Sequence, residues 1–254
     1  MRAGRPILFA LFCALALSHA AAAAEVKVLT AGAMKEVILA LVPEFERATG
    51  HKVILDNDTA GALSRRIEGG EAVDLAVITP PVIDGLIGKG KLAPGRTDLA
   101  TVGIGVAVKE GAPLPDISSV DAFKRLLLAA KSVAQVDPAS GGTSGIYLAG
   151  LYQRLGIADQ IKPKLVLVRG GSSAPLVAKG AAEIAIQQIS EIIAVAGVAF
   201  AGPLPREIQN LTTYSAALGA DAKNPEAAKT LIALLRGAPA ATLLRSKGME
   251  PAAP

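Results

Sequence analysis

The sequence has very little cysteine, histidine or aromatic side chain. Its 254 residues include one cysteine, two histidines and no tryptophan, and aromatic residues make up 3%. Cys13 lies in an N-terminal apolar stretch, so a chain without that stretch would have no disulfide and no thiolate metal site. His51 would then be the single histidine available for a metal site or a catalytic triad. The shortage of rings also disfavours a site that stacks sugars.

The charge balance is close to neutral. Lys and Arg number 26 against 22 Asp and Glu, and loss of Arg2 and Arg5 with the N-terminal stretch would leave a net charge of +2. A surplus this small does not indicate a nucleic-acid partner. The composition, 51% hydrophobic and 19% charged, is that of a chain with a packed core rather than a disordered one.

The N-terminus has the pattern of a secretory signal peptide. Arg2 and Arg5 precede an apolar run at 7–17, and small residues follow up to Ala24. This order predicts a signal peptide over residues 1–24, with export to the periplasm. The alternative is a membrane anchor, but the run is shorter than the roughly 20 residues that cross a bilayer.

Beyond residue 24, short apolar runs alternate with helical patterns. This alternation predicts an α/β protein whose sheets are mainly parallel and flanked by helices. The length is large for one such sheet, so we expect two lobes. We predict that residues 25–104 and 203–254 form lobe 1 and that residues 105–202 form lobe 2. The chain would cross between the lobes near 99–108 and 199–214.

Four small polar loops follow predicted strands, at 30–33, 58–61, 140–144 and 170–173. Ligand sites of parallel sheets lie beyond the carboxyl ends of strands, where helices begin. Glycine lets backbone N–H groups approach a ligand, and a helix N-terminus favours an anion. The alternative for any single loop is ordinary turn and capping chemistry. Four loops at equivalent positions favour an anion site.

The other candidate features give weaker signals. The segment 85–91 has P-loop spacing, but Leu92 stands where Ser or Thr would bind magnesium. Arg169 directly follows a strand and is a better ligand candidate than the surface pair Arg65 and Arg66. Asp137 and Glu191 do not form a paired-carboxylate pattern. With no recognisable spacing of nucleophile and base, the sequence predicts no enzyme, no metal and no cofactor.

Motifs along the whole chain resemble those of a known family. They are the stretch 28–34, Gly61-Ala62-Leu63, Arg66-Ile67-Glu68, Asp74-Leu75, Asp137-Pro138, Leu155-Gly156, Lys162-Pro163-Lys164, Gly202-Pro203-Leu204-Pro205 and the stretch 223–229. The chain resembles periplasmic solute-binding proteins of the molybdate-binding type, which serve ABC importers. The resemblance implies a two-lobed, type II periplasmic binding protein fold, a small anionic ligand between the lobes and an inner-membrane permease as partner. It implies a monomer without nucleic acid.

The resemblance also indicates the ligand positions. The family usually presents serines where this chain has Ala33 and Ala60, and a tyrosine where it has Gln188. Because a desolvated oxyanion must regain its hydrogen bonds, these differences predict that molybdate is not the tightest ligand. Another oxyanion or a carboxylate is expected, with molybdate or tungstate binding, or a sensor role, as alternatives. The candidate ligand-binding residues are Ala33, Thr59, Ala60, Ser140, Thr143, Ser144 and Gln188.

Overall fold

The computed structural model describes residues 23–253. The predicted signal peptide, 1–24, lies outside this range apart from its last two residues. The first segment contains β1 Glu25–Ala31, α1 Gly32–Thr49, β2 Lys52–Asp58, α2 Ala60–Glu68, β3 Leu75–Ile78, α3 Pro80–Gly88 and β4 Thr97–Val102. The second contains β5 Ile104–Lys109, α4 Val120–Ala129, β6 Val133–Val136, α5 Thr143–Arg154, α6 Ala158–Ile161, β7 Leu165–Val168, α7 Ala174–Ala178, β8 Ile184–Gln188, α8 Ile189–Ile193 and β9 Val198–Pro203. The third contains β10 Thr212–Leu218, α9 Pro225–Leu235, α10 Ala238–Ser246 and β11 Met249–Pro251.

The strands form two separate sheets. One has the order β11-β4-β10-β3-β1-β2, and the other has the order β7-β6-β8-β5-β9. Parallel pairing joins β1 to β2 and β3, and β6 to β7 and β8. The strands next to the crossings, β4, β5, β9 and β10, pair antiparallel with their neighbours. The predicted two-lobed α/β fold is confirmed, with mixed sheets.

Each sheet has its own hydrophobic core. Helix α1 shows how the sequence builds it, because Val37, Ile38, Leu41 and Phe45 recur at helical spacing and are all buried. The helix ends at Gly50, whose φ of 73° is in the left-handed region that glycine adopts without strain. Among residues 23–253 no single helix is long and apolar enough to cross a membrane. In this range only α9 and α10 taken together reach that length and apolarity, and the pair is bent by 60°.

The chain crosses from the first sheet to the second at Gly103. The continuous apolar run 102–108 predicts one strand, whereas the structure has β4 and β5 separated by this glycine. Gln209, on the returning segment, accepts from Ile104 N at 2.8 Å and donates to Ile104 O at 2.9 Å. The two crossing segments are therefore tied together. The predicted division, 25–104 with 203–254 and 105–202, stays our proposal for the rigid lobes.

Asp74 joins distant parts of lobe 1. This carboxylate is 5% exposed and accepts from Lys27 N at 2.8 Å. It also accepts from Lys223 N at 2.7 Å and Asn224 N at 3.0 Å, just before α9. Backbone donors satisfy the buried charge, and the third segment is thereby fixed to the first.

Candidate functional site

A narrow cleft separates the two sheets where the carboxyl ends of their strands face each other. Its volume is about 30 Å³, room for one or two water molecules. We call this space the interlobe cleft. It is lined by Ala31, Gly32, Ala33, Thr59, Val136, Gly142, Thr143, Ser144, Gly171, Gln188, Glu191 and Tyr214.

Main-chain contacts close one end of the cleft, which we call the mouth. Thr59 Oγ1 donates to Ser140 O at 2.6 Å, and Gly61 N donates to Gly141 O at 3.1 Å. The two glycines touch so closely that a Cβ added to Gly61 would lie 2.7 Å from Gly141 Cα. Only residues without a side chain allow this approach. The mouth is therefore shut by the start of α2 and the loop before α5.

Two long helices direct their N-termini into the cleft. Helix α1 has 18 residues and begins at Gly32, and α5 has 12 residues and begins at Thr143. Neither Ala31 nor Gly142, the residues preceding them, supplies a side-chain cap. In α2, by contrast, Thr59 Oγ1 accepts from Ala62 N. The uncapped first turns of α1 and α5 offer N–H donors and positive helix ends to an anion.

A hydrogen-bonded cluster joins the lobes beside the crossing strands, where Gln188 pairs with Ile104 and Thr212 pairs with Val102, and we call this part of the cleft the base. Gln188 Nε2 lies 3.1 Å from Thr143 Oγ1, 3.0 Å from Thr212 Oγ1 and 3.4 Å from the Tyr214 hydroxyl. Gln188 Oε1 is buried and has no hydrogen-bond partner among residues 23–253. The amide nitrogen thus holds hydroxyls from both lobes, and the amide oxygen is left without a donor among these residues.

Glu191 also lies at the base, in the first turn of α8. Its neighbour Ser190 donates through Oγ to Ala33 O at 2.9 Å, which fixes α8 against the start of α1. The carboxyl group packs over Gly32, where an added Cβ would lie 2.5 Å from Glu191 Oε1. The residue keeps some surface toward the cleft, yet protein atoms enclose the carboxyl group, and this burial raises the pKa of Glu191 to about 7.

Tyr214 shares this environment. Burial and, second, the charge of Glu191 raise the pKa of the Tyr214 hydroxyl above its usual value. Within the described part of the chain, Glu191 has no ion-pair partner, and desolvation is the cause of its shift. The base therefore holds a carboxyl that changes charge near neutral pH beside a phenol that stays protonated.

Comparison with known proteins places the chain in a family. A family model described as bacterial extracellular solute-binding protein matches residues 26–250. The chain belongs to that family. A relative from Pseudomonas sp. named aconitate isomerase is 34% identical over 231 residues, which cover 88% of this chain and 87% of the relative.

Solved structures confirm the fold of this solute-binding protein. The periplasmic molybdate-binding protein of Azotobacter vinelandii superposes with a TM-score of 0.73 and 18% identity, covering 90% of this chain and 99% of that one. The sulfate-binding protein SubI of Mycobacterium tuberculosis H37Rv gives 0.72 and 17%, covering 91% and 88%. At these identities the likeness establishes the two-lobed architecture.

The structure places five of the seven predicted ligand residues of this solute-binding protein on the cleft: Ala33, Thr59, Thr143, Ser144 and Gln188. The other two, Ala60 and Ser140, are not among the lining residues. Ala60 is 4% exposed in the core, and the Ser140 hydroxyl donates to Asp137 O at 2.7 Å.

The predicted ligand residues did not include Gly32, Glu191 or Tyr214, although Gly32 lies in the predicted ligand loop at 30–33. The position of Glu191 in the sequence could have identified it, because it lies three residues after a buried strand that ends in the polar pair Gln187 and Gln188.

The expectation that this solute-binding protein is not an enzyme is wrong. The relative that overturns it is named as an isomerase and matches across nearly the whole chain. The expectation rested on the lack of a cysteine or histidine nucleophile with a base. A reaction that moves only a proton needs neither, because one carboxyl with a suitable pKa suffices.

Proposed function

We propose that this protein is an exported aconitate isomerase, which binds aconitate in the interlobe cleft and interconverts its cis and trans isomers. The observation that carries the proposal is the 34% identity to an aconitate isomerase, sustained over 88% of the chain. Aconitate is a small unsaturated tricarboxylate, in accord with the anionic ligand expected from the polar loops. The expected location is the periplasm, in accord with the extracellular family.

The cleft offers hydrogen-bond donors at positions where carboxylates could bind. The first turns of α1 and α5 present backbone N–H groups from both lobes, and Ser144 lines the cleft beside them. Carboxylates bind such helix ends because the N–H groups lack intrahelical partners and the dipole favours negative charge. Ala33 lines the cleft without a hydroxyl to donate, so the backbone N–H groups and the Ser144 hydroxyl would supply the hydrogen bonds to the carboxylates.

The Glu191 carboxyl distinguishes this cleft from that of a simple anion receptor. An anion receptor gains nothing from a carboxyl at its base, because an ionised group would repel the ligand. Burial raises the pKa of Glu191 to about 7, so a substantial neutral fraction exists at neutral pH. A carboxyl that is partly neutral and partly ionised at neutral pH suits a reaction in which a proton moves.

The cleft must open for the substrate to enter. Its volume of about 30 Å³ is far below the roughly 300 Å³ at the lower end of ligand pockets. Opening breaks the mouth contacts of Thr59 and Gly61 and leaves the base attached to the crossing strands. Closure over the substrate then excludes water by a hinge motion typical of two-lobed binding proteins.

A second candidate function is that of a receptor that delivers an anion to an ABC permease without altering it. The family match over 26–250 and the two-lobed fold favour it. In this function the protein acts as a monomer with the permease as its partner, or as a ligand sensor.

One experiment separates the two functions. Protein purified from residue 25 onward is incubated with cis-aconitate or trans-aconitate, and the isomers are quantified by chromatography. We expect both incubations to reach the same isomer ratio at a rate proportional to the amount of protein. Stabilisation without turnover would assign the receptor function instead. A thermal-shift comparison with molybdate completes the test, since ligand at 100 times its Kd stabilises by about 2.7 kcal/mol.

A further inference from the structure

We infer that Glu191 is the catalytic acid–base residue of this cleft, the group that removes the proton from the bound substrate and returns it at another carbon. This assignment rests on the proposed isomerase function. It goes beyond that function by naming the atom pair that carries the chemistry, the carboxyl oxygens of Glu191 at the base of the cleft.

Glu191 lies where both lobes meet the start of α1. Helix α8 starts where β8 ends, and Ile189 N donates to Gly103 O at 3.0 Å, so the helix is fixed at the crossing between the lobes. Ser190 Oγ holds it against Ala33 O from the other lobe. Gly32, with no side chain, leaves the room that Glu191 Oε1 occupies. Both lobes thus hold the Glu191 carboxyl next to the N-terminus of α1, where a carboxylate of the ligand would bind.

Glu191 has no competitor as a proton acceptor among the described residues that line the cleft. Among the residues that line the cleft in the described structure, the titratable side chains are Glu191 and Tyr214. The raised pKa of Tyr214 keeps its hydroxyl protonated at neutral pH, so it acts as a hydrogen-bond donor. Residues 23–253 also contain no cysteine, which removes the thiol that would isomerise a double bond by adding to it and leaving again.

The chemistry requires one proton carrier. Aconitate has a CH₂ group next to its double bond. The Glu191 carboxylate takes a proton from this carbon, so a C–H bond breaks and an O–H bond forms. The released electron pair forms the new double bond, and the pair of the old one accepts the proton from Glu191 at the far carbon. Atoms and electrons balance without an oxidant or co-reactant, and the carboxylate is regenerated.

The environment suits both steps. A general base and acid work best when the pKa of the group is near the working pH, and burial brings Glu191 to about 7. The protonated Tyr214 hydroxyl lies at the same end of the cleft, and Gln188 Nε2 holds the hydroxyls of Thr143 and Thr212 beside it. A hydroxyl donor placed there stabilises the negative charge that develops on the substrate carboxylates as the proton leaves.

The test compares Glu191→Gln with wild type and with a control, Glu226→Gln, whose side chain on α9 is 83% exposed. Glutamine keeps the size of the side chain but carries no transferable proton. We expect kcat for aconitate isomerisation to fall roughly 10²- to 10⁴-fold in Glu191→Gln, the usual contribution of general acid–base catalysis, and to stay unchanged in Glu226→Gln. Glu191→Asp should recover part of the rate.

Two further measurements distinguish failure of the Glu191 assignment from failure of the isomerase function. Aconitate deuterated at its CH₂ group should carry part of its deuterium to the far carbon with wild type and should stay unchanged with Glu191→Gln, while the thermal shift produced by aconitate should persist in both. Normal turnover by Glu191→Gln would overturn the assignment and leave the isomerase function standing. Absence of turnover by wild type would overturn the isomerase function and this assignment with it.

Discussion

The base and the mouth of the interlobe cleft are built from different parts of the chain. The base consists of side chains that can move protons or donate hydrogen bonds, namely Gln188, Glu191 and Tyr214. The mouth is closed mainly by main-chain atoms, through Gly61 N to Gly141 O and the Thr59 hydroxyl to Ser140 O. One end is therefore specialised for chemistry and the other for opening.

The location of the crossing strands explains this division. Gln209 ties the two crossings together, and α8 begins beside Gly103. A hinge at the crossings moves the base little and the mouth most. The substrate can thus enter and leave while the groups at the base keep their mutual arrangement, and changes at the two ends should have separable effects on turnover and on affinity.

The largest effect is expected from Gly32→Ala at the base. The new Cβ would lie 2.5 Å from Glu191 Oε1 and displace the carboxyl. We expect kcat to fall by about 100-fold, within the usual range for loss of a positioned acid–base group, with little change in Tm because the end of a side chain moves easily.

The matched control for Gly32→Ala is Gly85→Ala on α3, where an added Cβ meets nothing within 4 Å. It should leave kcat unchanged. Normal turnover by Gly32→Ala would contradict the role of this contact.

A smaller effect, on affinity, is expected from Ser144→Ala at the start of α5. Ser144 is 2% exposed and lines the cleft, so its hydroxyl is placed to donate to a substrate carboxylate. A hydrogen bond to a charged group contributes about 1.5–3 kcal/mol. We expect the Kd for aconitate, measured by calorimetry, to rise by at least about tenfold. An unchanged Kd would mean that the backbone of α5 binds the carboxylate alone.

At the mouth, Gly61→Ala should weaken binding by about fivefold, equivalent to about 1 kcal/mol, because closure loses roughly one hydrogen bond. The added Cβ would lie 2.7 Å from the main chain of Gly141, which cannot yield as a side-chain end does. Small-angle scattering with saturating aconitate should show a larger radius of gyration than for wild type. The control is Gly88→Ala, where an added Cβ has no neighbour within 4 Å. Equal radii for variant and wild type would show that the mouth closes differently.

The last effect concerns stability rather than turnover or affinity, and it is a pH dependence. The pKa of Glu191 rises from 4.5 to about 7 on folding, so between these values the folded protein holds a proton that the unfolded chain has released. Its stabilising contribution is full below pH 4.5 and is lost as the pH rises through about 7. Tyr214, the titratable side chain coupled to it, stays neutral in this window because its pKa is raised above 10.

Melting curves of wild type and Glu191→Gln test this sign. The Tm of wild type relative to that of the variant should decrease from pH 4.5 to pH 7 and then level off. A difference that does not vary with pH would show that the carboxyl is hydrated.

Much of the fold was predictable from the sequence because its signals are local. The apolar periodicity of α1 and the Ser119 cap of α4, which accepts from Ala122 N at 3.2 Å, are readable over a few residues. The break at Gly103 was missed because 102–108 is continuously apolar, and it depends on Gln209 more than 100 residues away.

The candidate site was predictable only in part, for the same reason. Loops after strands are visible in the sequence, and they led to Thr143 and Ser144. The environment of Glu191 is made by Gly32 and Tyr214, which come from the first and third segments of the chain. No local pattern indicates that enclosure, so the raised pKa of this carboxyl could not be predicted from the sequence.

The three bonds accepted by Asp74 have a consequence for the order of folding. In the division that we propose, lobe 1 is discontinuous, because β10, α9, α10 and β11 come from the C-terminal end and Asp74 must find Lys223 and Asn224, about 150 residues later. Lobe 2 is then one uninterrupted stretch, so its contacts close shorter loops. Since long loop closures slow folding, lobe 2 should gain protection from hydrogen exchange first during refolding. A chain emerging N-terminus first would expose an incomplete lobe 1 until its last segment arrives, which makes that lobe the natural substrate for a chaperone.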